Sequence, residues 1–334
     1  MPKIIRALSA FMAVLVIALV VGACGSDDSD NETSSTSTTE QATPASGGSS
    51  DSKLIKKDSA NSGKTFTVGS KNFAEQYILG EIYAQALQAA GFKVKKQLDL
   101  GSEQIAFKAL KSGNIDAYPE YTGTALSSFY RVKTDDIPRD PQESFDQLKQ
   151  DAAKDDITTL PQTPFQDTFV VTSTKKTAAK YGDVKTISEV AKKAGSKASI
   201  SGFPECRQRT DCLLGLKSKY GWTPKFVSSQ GKYADLDKGQ ADFTFGFGTD
   251  GEQSLGKYYA YEDDKQLFPP YYVTFMVNKK GIAALGDAGE AVIQKVQEPL
   301  TEKVMQELNS RVSLDKEKPE AVAAEYLQKA GFTK

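Results

Sequence analysis

Histidine is absent from the sequence. Its absence removes the commonest side-chain general base and metal ligand, and with them the His-dependent nucleophile triads and the Cys/His zinc motifs. A charge excess of either sign is also missing: 42 basic residues face 43 acidic ones, and no dense Lys/Arg cluster occurs. Nucleic acid is therefore not an expected partner. There is no Gly-x-Ser-x-Gly, no phosphate loop and no carboxylate pair in surroundings that would separate two pKa values. Nothing in the motifs supports an enzyme, and no cofactor or metal is expected.

Long apolar runs are scarce. The longest, Phe11 to Val21, follows Lys3 and Arg6 and is too short for a membrane span, which suits a secretory signal. It ends in Val21-Gly22-Ala23-Cys24, which resembles a bacterial lipoprotein signal with Val where Leu is usual. That resemblance implies removal of residues 1–24 up to an acylated Cys24, an ordinary signal peptide being the alternative. Residues 25–63 are rich in Ser, Thr, Asp, Asn and Gly and should form a disordered tether. The expected address is extracytoplasmic, on a lipid anchor.

Only two further cysteines exist, Cys206 and Cys212, in Cys-Arg-Gln-Arg-Thr-Asp-Cys. Outside the cytoplasm such a pair forms a disulfide, and closing so small a loop contributes roughly 2 kcal/mol. A metal site is the weaker alternative, since no third Cys or His completes it. A bridge here would fix Arg207 or Arg209 in place.

From Phe66 onward strand and helix alternate. Phe66-Thr67-Val68 reads as a strand ending at Gly69, and Asn72 with Glu75 has capping-box spacing. Ile78, Leu79, Ile82, Tyr83, Ala86, Leu87 and Ala90 mark one helical face that stops at Gly91. A strand through Val94, a helix through Leu110 and a strand from Ile115 to Tyr118 follow. The pattern predicts an α/β fold with mostly parallel sheets and a ligand beyond the carboxyl ends of the strands. Leu110-x-x-Gly113-x-x-Asp116 recurs as Leu236-x-x-Gly239-x-x-Asp242, a weak echo that fits two similar lobes. Two β-like stretches, Thr168–Thr172 and Tyr271–Val277, are placed to carry the chain between them. Lobe 1 would then comprise residues 64–166 and 272–334, and lobe 2 residues 167–271. Val292, Val296, Leu300, Val304 and Leu308 predict C-terminal helices packed on lobe 1.

The stretch Asp116-Ala-Tyr-Pro-Glu-Tyr-Thr-Gly-Thr124 reads as a strand end that turns on Pro119 into a shaped loop, presenting Tyr121, Thr122 and Thr124 beside Gly123. Its alternative is a turn with Tyr121 merely packed.

With these parts assembled, the chain resembles the substrate-binding lipoproteins of osmoprotectant ABC importers, which bind glycine betaine, carnitine or choline. The resemblance rests on Val68-Gly-Ser-Lys-Asn-Phe73, Glu75-Gln-Tyr77, Tyr118-Pro-Glu-Tyr-Thr-Gly-Thr124, Thr249-Asp-Gly251, Glu262-Asp-Asp-Lys265 and Phe268-Pro-Pro-Tyr271. It implies a type II periplasmic-binding-protein fold, two α/β lobes joined by two crossover strands around a cleft. Tyr121 and Tyr271 look like cage aromatics for a quaternary ammonium. Phe169 and Phe247 stand where the family usually has Tyr, keeping the ring face and losing the hydroxyl. Asp167 looks like an acidic neighbour of the cation, and Lys71, Thr124 and Arg209 like carboxylate anchors. Choline would leave the two cations facing a hydroxyl, so a carboxylate-bearing betaine is favoured. Glu103 replaces a frequent Thr; pointing into the cleft, it would admit a larger betaine such as ergothioneine or proline betaine. The implied partner is an ABC permease, with the binding protein a monomer. A non-transport structural lipoprotein is the outside alternative.

Overall fold

The computed structural model describes residues 53–334. The signal, Cys24 and most of the expected tether lie outside the described residues. The tether's last part is not disordered as expected: residues 53–63 lie on the body, where Ile55 N–H donates to Phe332 O, Asp58 N–H donates to Ala90 O and Asn61 is buried. Ile55 and Asn61 are the features in a polar stretch that give it something to bury.

In chain order the strands are β1 (Thr65–Gly69), β2 (Lys93–Gln97), β3 (Ala117–Tyr121), β4 (Ile157–Thr159), β5 (Phe169–Thr174), β6 (Ser199–Gly202), β7 (Lys225–Ser228), β8 (Phe243–Phe247), β9 (Tyr258–Tyr261) and β10 (Val273–Asn278). The helices are α1 (Ala74–Ala89), α2 (Glu103–Lys111), α3 (Thr122–Thr124), α4 (Pro141–Ala153), α5 (Lys175–Lys180), α6 (Ile187–Ala194), α7 (Leu213–Tyr220), α8 (Tyr233–Asp237), α9 (Lys279–Gln297), α10 (Glu302–Ser313) and α11 (Pro319–Lys329).

Two five-stranded sheets result, ordered β2-β1-β3-β10-β4 and β7-β6-β8-β5-β9. Each repeats one plan: a parallel trio, then a strand that runs antiparallel to it, then an edge strand. The sheets are thus mixed rather than mostly parallel, because the strand following each passage between sheets enters in the reverse direction. The sequence echo has a physical basis here. Asp116 Oδ2 accepts the Thr67 N–H at 2.8 Å, and Asp242 Oδ2 accepts the Ser199 N–H at 2.9 Å. In each parallel trio, taken in chain order, the Asp preceding the third strand fastens the first.

Two local expectations fail. Asn72 does not cap α1; its N-cap is Phe73, with no side-chain bond, and Glu75 is engaged elsewhere. Pro119 does not end a strand either, since β3 runs through it to Tyr121. Thr122 N–H donates to Tyr272 O and Asn278 N–H to Asp116 O, so alternation leaves Pro119, opposite Phe275, at a position that needs no donor toward β10. On its other side β1 pairs with β3 only at Ala117.

α1 buries the apolar face expected of it, including Ile78, Leu79, Ile82 and Tyr83, against the first sheet and α9–α11. Its end is set by Gly91, whose φ of 102° few other residues adopt. The chain passes from the first sheet to the second between β4 and β5 and returns between β9 and β10. The two passages touch through a Gln166–Tyr272 bridge.

Candidate ligand-binding site

One cavity, with about 730 Å³ of free space counting its mouth, is lined by Lys71, Tyr121, Thr124, Asp167, Phe169, Arg209, Phe247 and Tyr271. The structure therefore brings together every ligand residue expected from the sequence. Lys71 follows β1, Tyr121 ends β3, and Thr124 closes the helical turn after it. Asp167 lies just before β5, Phe169 opens it, Phe247 ends β8, and Tyr271 lies just before β10. Gly123 is needed for closeness rather than for an unusual φ: a Cβ there would lie 2.7 Å from Pro270 O and 2.9 Å from the Tyr271 ring.

Phe169 is the hub of the rings. Its centroid lies 5.0 Å from Phe247, 5.4 Å from Tyr271 at 89°, and 6.1 Å from Phe203. Phe73 stacks 6.2 Å from both Tyr121 and Phe247. Phe73 and Phe203 also line the cavity and were not singled out as site residues. Phe73 lies inside a quoted motif; Phe203, three residues before Cys206, carried no signal.

Each cation at the site already has its own carboxylate. Lys71 pairs with fully buried Glu120, and its Nζ lies 4.5 Å from the Tyr121 ring centroid. Arg209 Nε and Nη2 donate to the two oxygens of Asp211 at 2.8 and 2.5 Å, while Nη1 reaches Glu103 at 3.4 Å and Nη2 reaches the Thr124 hydroxyl at 3.3 Å. Burial pushes the Asp211 carboxyl up, but the charge and hydrogen bonds of Arg209, with donors from Tyr271 and Ser127, outweigh it and leave the net shift downward. Asp211 also accepts the Tyr271 hydroxyl at 2.7 Å. The bidentate fork of Arg209 is thus spent on Asp211, not held open for a ligand. The electrostatic ground for preferring a carboxylate over choline weakens accordingly.

Lys232 is the third cation, unmarked in the sequence because a lone Lys after Gly looks like any loop charge. Its Nζ pairs with Asp250 at 2.5 Å and sits 4.8 Å over the Phe247 ring. Arg209 likewise covers Phe169, at 5.4 Å. Glu103 is buried, lines the cavity and points to Arg209, the orientation that the sequence left open.

The bridge between Cys206 and Cys212 is formed, and it brackets Arg209. Away from the cavity lining, Ser127 donates to Asp211 at 3.1 Å, and Thr134 and Thr210 share a hydrogen bond of 2.7 Å, so segments of the two halves touch.

A model of the substrate-binding domain of ABC-type glycine betaine transport systems matches residues 64–329. The chain belongs to that family. As a member, it is the solute-binding component of an ABC importer, a transport protein rather than a member of an enzyme family. It is similar to a glycine-betaine-binding protein of Pseudomonas aeruginosa, 29% identical over 278 residues that cover 79% of this chain and 88% of that one. It is also similar to an ergothioneine transport permease/ergothioneine binding protein of Helicobacter pylori, 26% identical over 80% of this chain but only 48% of that one. Among solved structures, a glycine betaine/carnitine/choline ABC transporter protein superposes with a TM-score of 0.64 at 24% identity, over 79% of this chain and 98% of that one. The fold is that of the type II periplasmic binding proteins. Among the described residues, no helix of this binding protein is long and apolar enough to cross a membrane.

Proposed function

We propose that the protein captures a quaternary ammonium solute outside the cytoplasmic membrane and delivers it to its permease, held to the membrane by an acylated Cys24 and acting as a monomer. The observation that carries this reading is the convergence of Phe73, Tyr121, Phe169, Phe203, Phe247 and Tyr271 on one cavity. A trimethylammonium head has no N–H to donate, so ring faces are what recognise it, each worth about 0.5–1 kcal/mol exposed and about 2 desolvated. Three or four faces supply several of the roughly 8 kcal/mol of a micromolar complex.

A ligand carboxylate would meet Thr124, Lys71 and the outward side of Arg209 as single donors rather than a two-pronged clamp. This supports a glycine-betaine-like solute and leaves choline close behind. Buried Glu103 supports a second reading, a larger amino-acid betaine such as proline betaine or ergothioneine, the solute named for the Helicobacter relative. Capture would close residues 64–166 with 272–334 onto 167–271, the two passages flexing.

Titration calorimetry with glycine betaine, carnitine, proline betaine, choline and ergothioneine tests the class, and silence from all five rejects it. Tyr271→Ala removes a ring and the Asp211 hydrogen bond together, so affinity should fall at least about tenfold. Unchanged affinity takes Tyr271 out of the cage.

A further inference from the structure

Glu75 does not line the cavity, yet it is tied to a residue that does. Its Oε1 accepts the Tyr121 hydroxyl at 2.8 Å, and its Oε2 accepts an Asn309 N–H at 2.9 Å. Thr249 Oγ1 lies 2.5 Å from Glu75 Oε2 and 2.5 Å from Asp167 Oδ1. A threonine hydroxyl carries one hydrogen and can donate to only one of these oxygens. The other contact becomes a hydrogen bond when one of the carboxyls carries a proton. One proton shared by Glu75 and Asp167 satisfies both contacts, and Asp167 lines the cavity.

The surroundings agree. Both carboxyls are buried, which pushes each above its ordinary range; Glu75 and Asp250 add to the rise at Asp167, and Asp250 adds to that at Glu75 against the hydrogen bonds of Thr249, Asn309 and Tyr121. The other charged and titratable groups facing the pair are Tyr121 from β3, Tyr83 from α1, Lys232 ahead of α8 and Glu252 after β8, which lines a hollow beside the pair; Lys232 opposes the rise. That hollow, separate from the cavity and of about 460 Å³ counting its mouth, is also lined by Glu75, Asp167, Thr249 and Lys232.

We propose that Glu75 is a positioning residue that sets the charge of the cavity wall: through Thr249 it shares a single proton with Asp167, and capture of a permanent cation beside Asp167 expels that proton to solvent. The inference rests on the quaternary ammonium reading. By linkage, a cation beside the pair lowers the pair's affinity for its proton, and the proton lowers affinity for the cation by the same factor. Affinity is flat where both states hold the proton, rises with pH by up to about tenfold per unit between the bound-state and free-state titrations, and is flat again above.

The test uses the full chain. Calorimetry with glycine betaine and choline, in buffers of different ionisation heat, should show release of up to about one proton per ligand. Infrared spectra of the ligand-free protein at neutral pH should show the carbonyl stretch of a buried carboxylic acid, lost in both Glu75→Gln and Asp167→Asn. In Glu75→Gln the proton release should vanish and the pH profile flatten. A merely structural Glu75 would instead lower affinity equally at every pH and keep the release. Binding by the wild type without proton release overturns the proposal. If neither ligand binds, carnitine, proline betaine and ergothioneine take their place in the same measurement; if all five are silent the ligand class fails, and the infrared band decides the shared proton on its own, its absence overturning that too.

Discussion

Glu120 offers the sharpest test of how the site is held. Its side chain is fully buried and accepts from the Lys71 ammonium, the Tyr118 hydroxyl at 2.9 Å and the Tyr121 N–H at 2.8 Å, while the Lys71 side chain is only 6% exposed. Glu120→Gln leaves the ammonium among rings without a counter-charge, a loss of about 3–5 kcal/mol. Lys71→Met leaves Glu120 two donors, so its cost should fall at or below the lower end of that range. Removing both together takes away the unpaired charge, and the double variant should lie within about 2 kcal/mol of wild type. The coupling energy should then be at least about 1 kcal/mol. Urea unfolding measures all four proteins, followed by circular dichroism and by fluorescence of Trp222, the single tryptophan, which is buried against Phe243 near the second sheet. Coincident curves license the two-state treatment. A Glu120→Gln loss under about 1 kcal/mol, or strictly additive costs, would refute the idea that the pair is a unit.

Two further outcomes follow from the site. Lys232→Met uncovers the Phe247 face, while Asp250 keeps the Tyr233 hydroxyl and the Phe247 N–H as donors. If the ligand cation takes that face, calorimetry should show about 2- to 30-fold tighter binding; weaker binding would make Lys232 an anchor instead. Gly123→Ala places a Cβ against Pro270 O and Pro269, so the variant should lose about 1–3 kcal/mol in thermal unfolding; an unchanged midpoint would show that the passage before β10 yields freely.

Much of this was legible because local signals and the global plan agree. The apolar face of α1 and the Gly91 stop fixed that helix, and the recurring Leu-x-x-Gly-x-x-Asp marked a repeated junction whose Asp ties neighbouring strands. Lys71, Tyr121, Thr124 and Tyr271 travelled with contiguous motifs, whereas Asp167, Phe169, Arg209 and Phe247 lie outside them. What stayed hidden depends on partners far along the chain. Glu75 has the spacing of a cap, but Tyr121, Thr249 and Asn309 claim its side chain. Pro119 reads as a stop until the pairing with β10 shows that no donor is wanted there. The counter-charges Glu120 and Asp250 sit inside quoted motifs, and Asp211 inside the Cys206–Cys212 run, without announcing which cation each will neutralise.

The contact between the two passages constrains how the body can bend. Gln166 bridges Tyr272, Asp167 N–H donates to Tyr271 O, and the Tyr271 N–H returns to the Gln166 side chain. Two ropes lashed side by side resist twisting and shear while still folding about the line that joins them. Motion of one sheet against the other would thereby be steered into a single swing, and Asp167 and Tyr271, at the lashing itself, would feel that swing first.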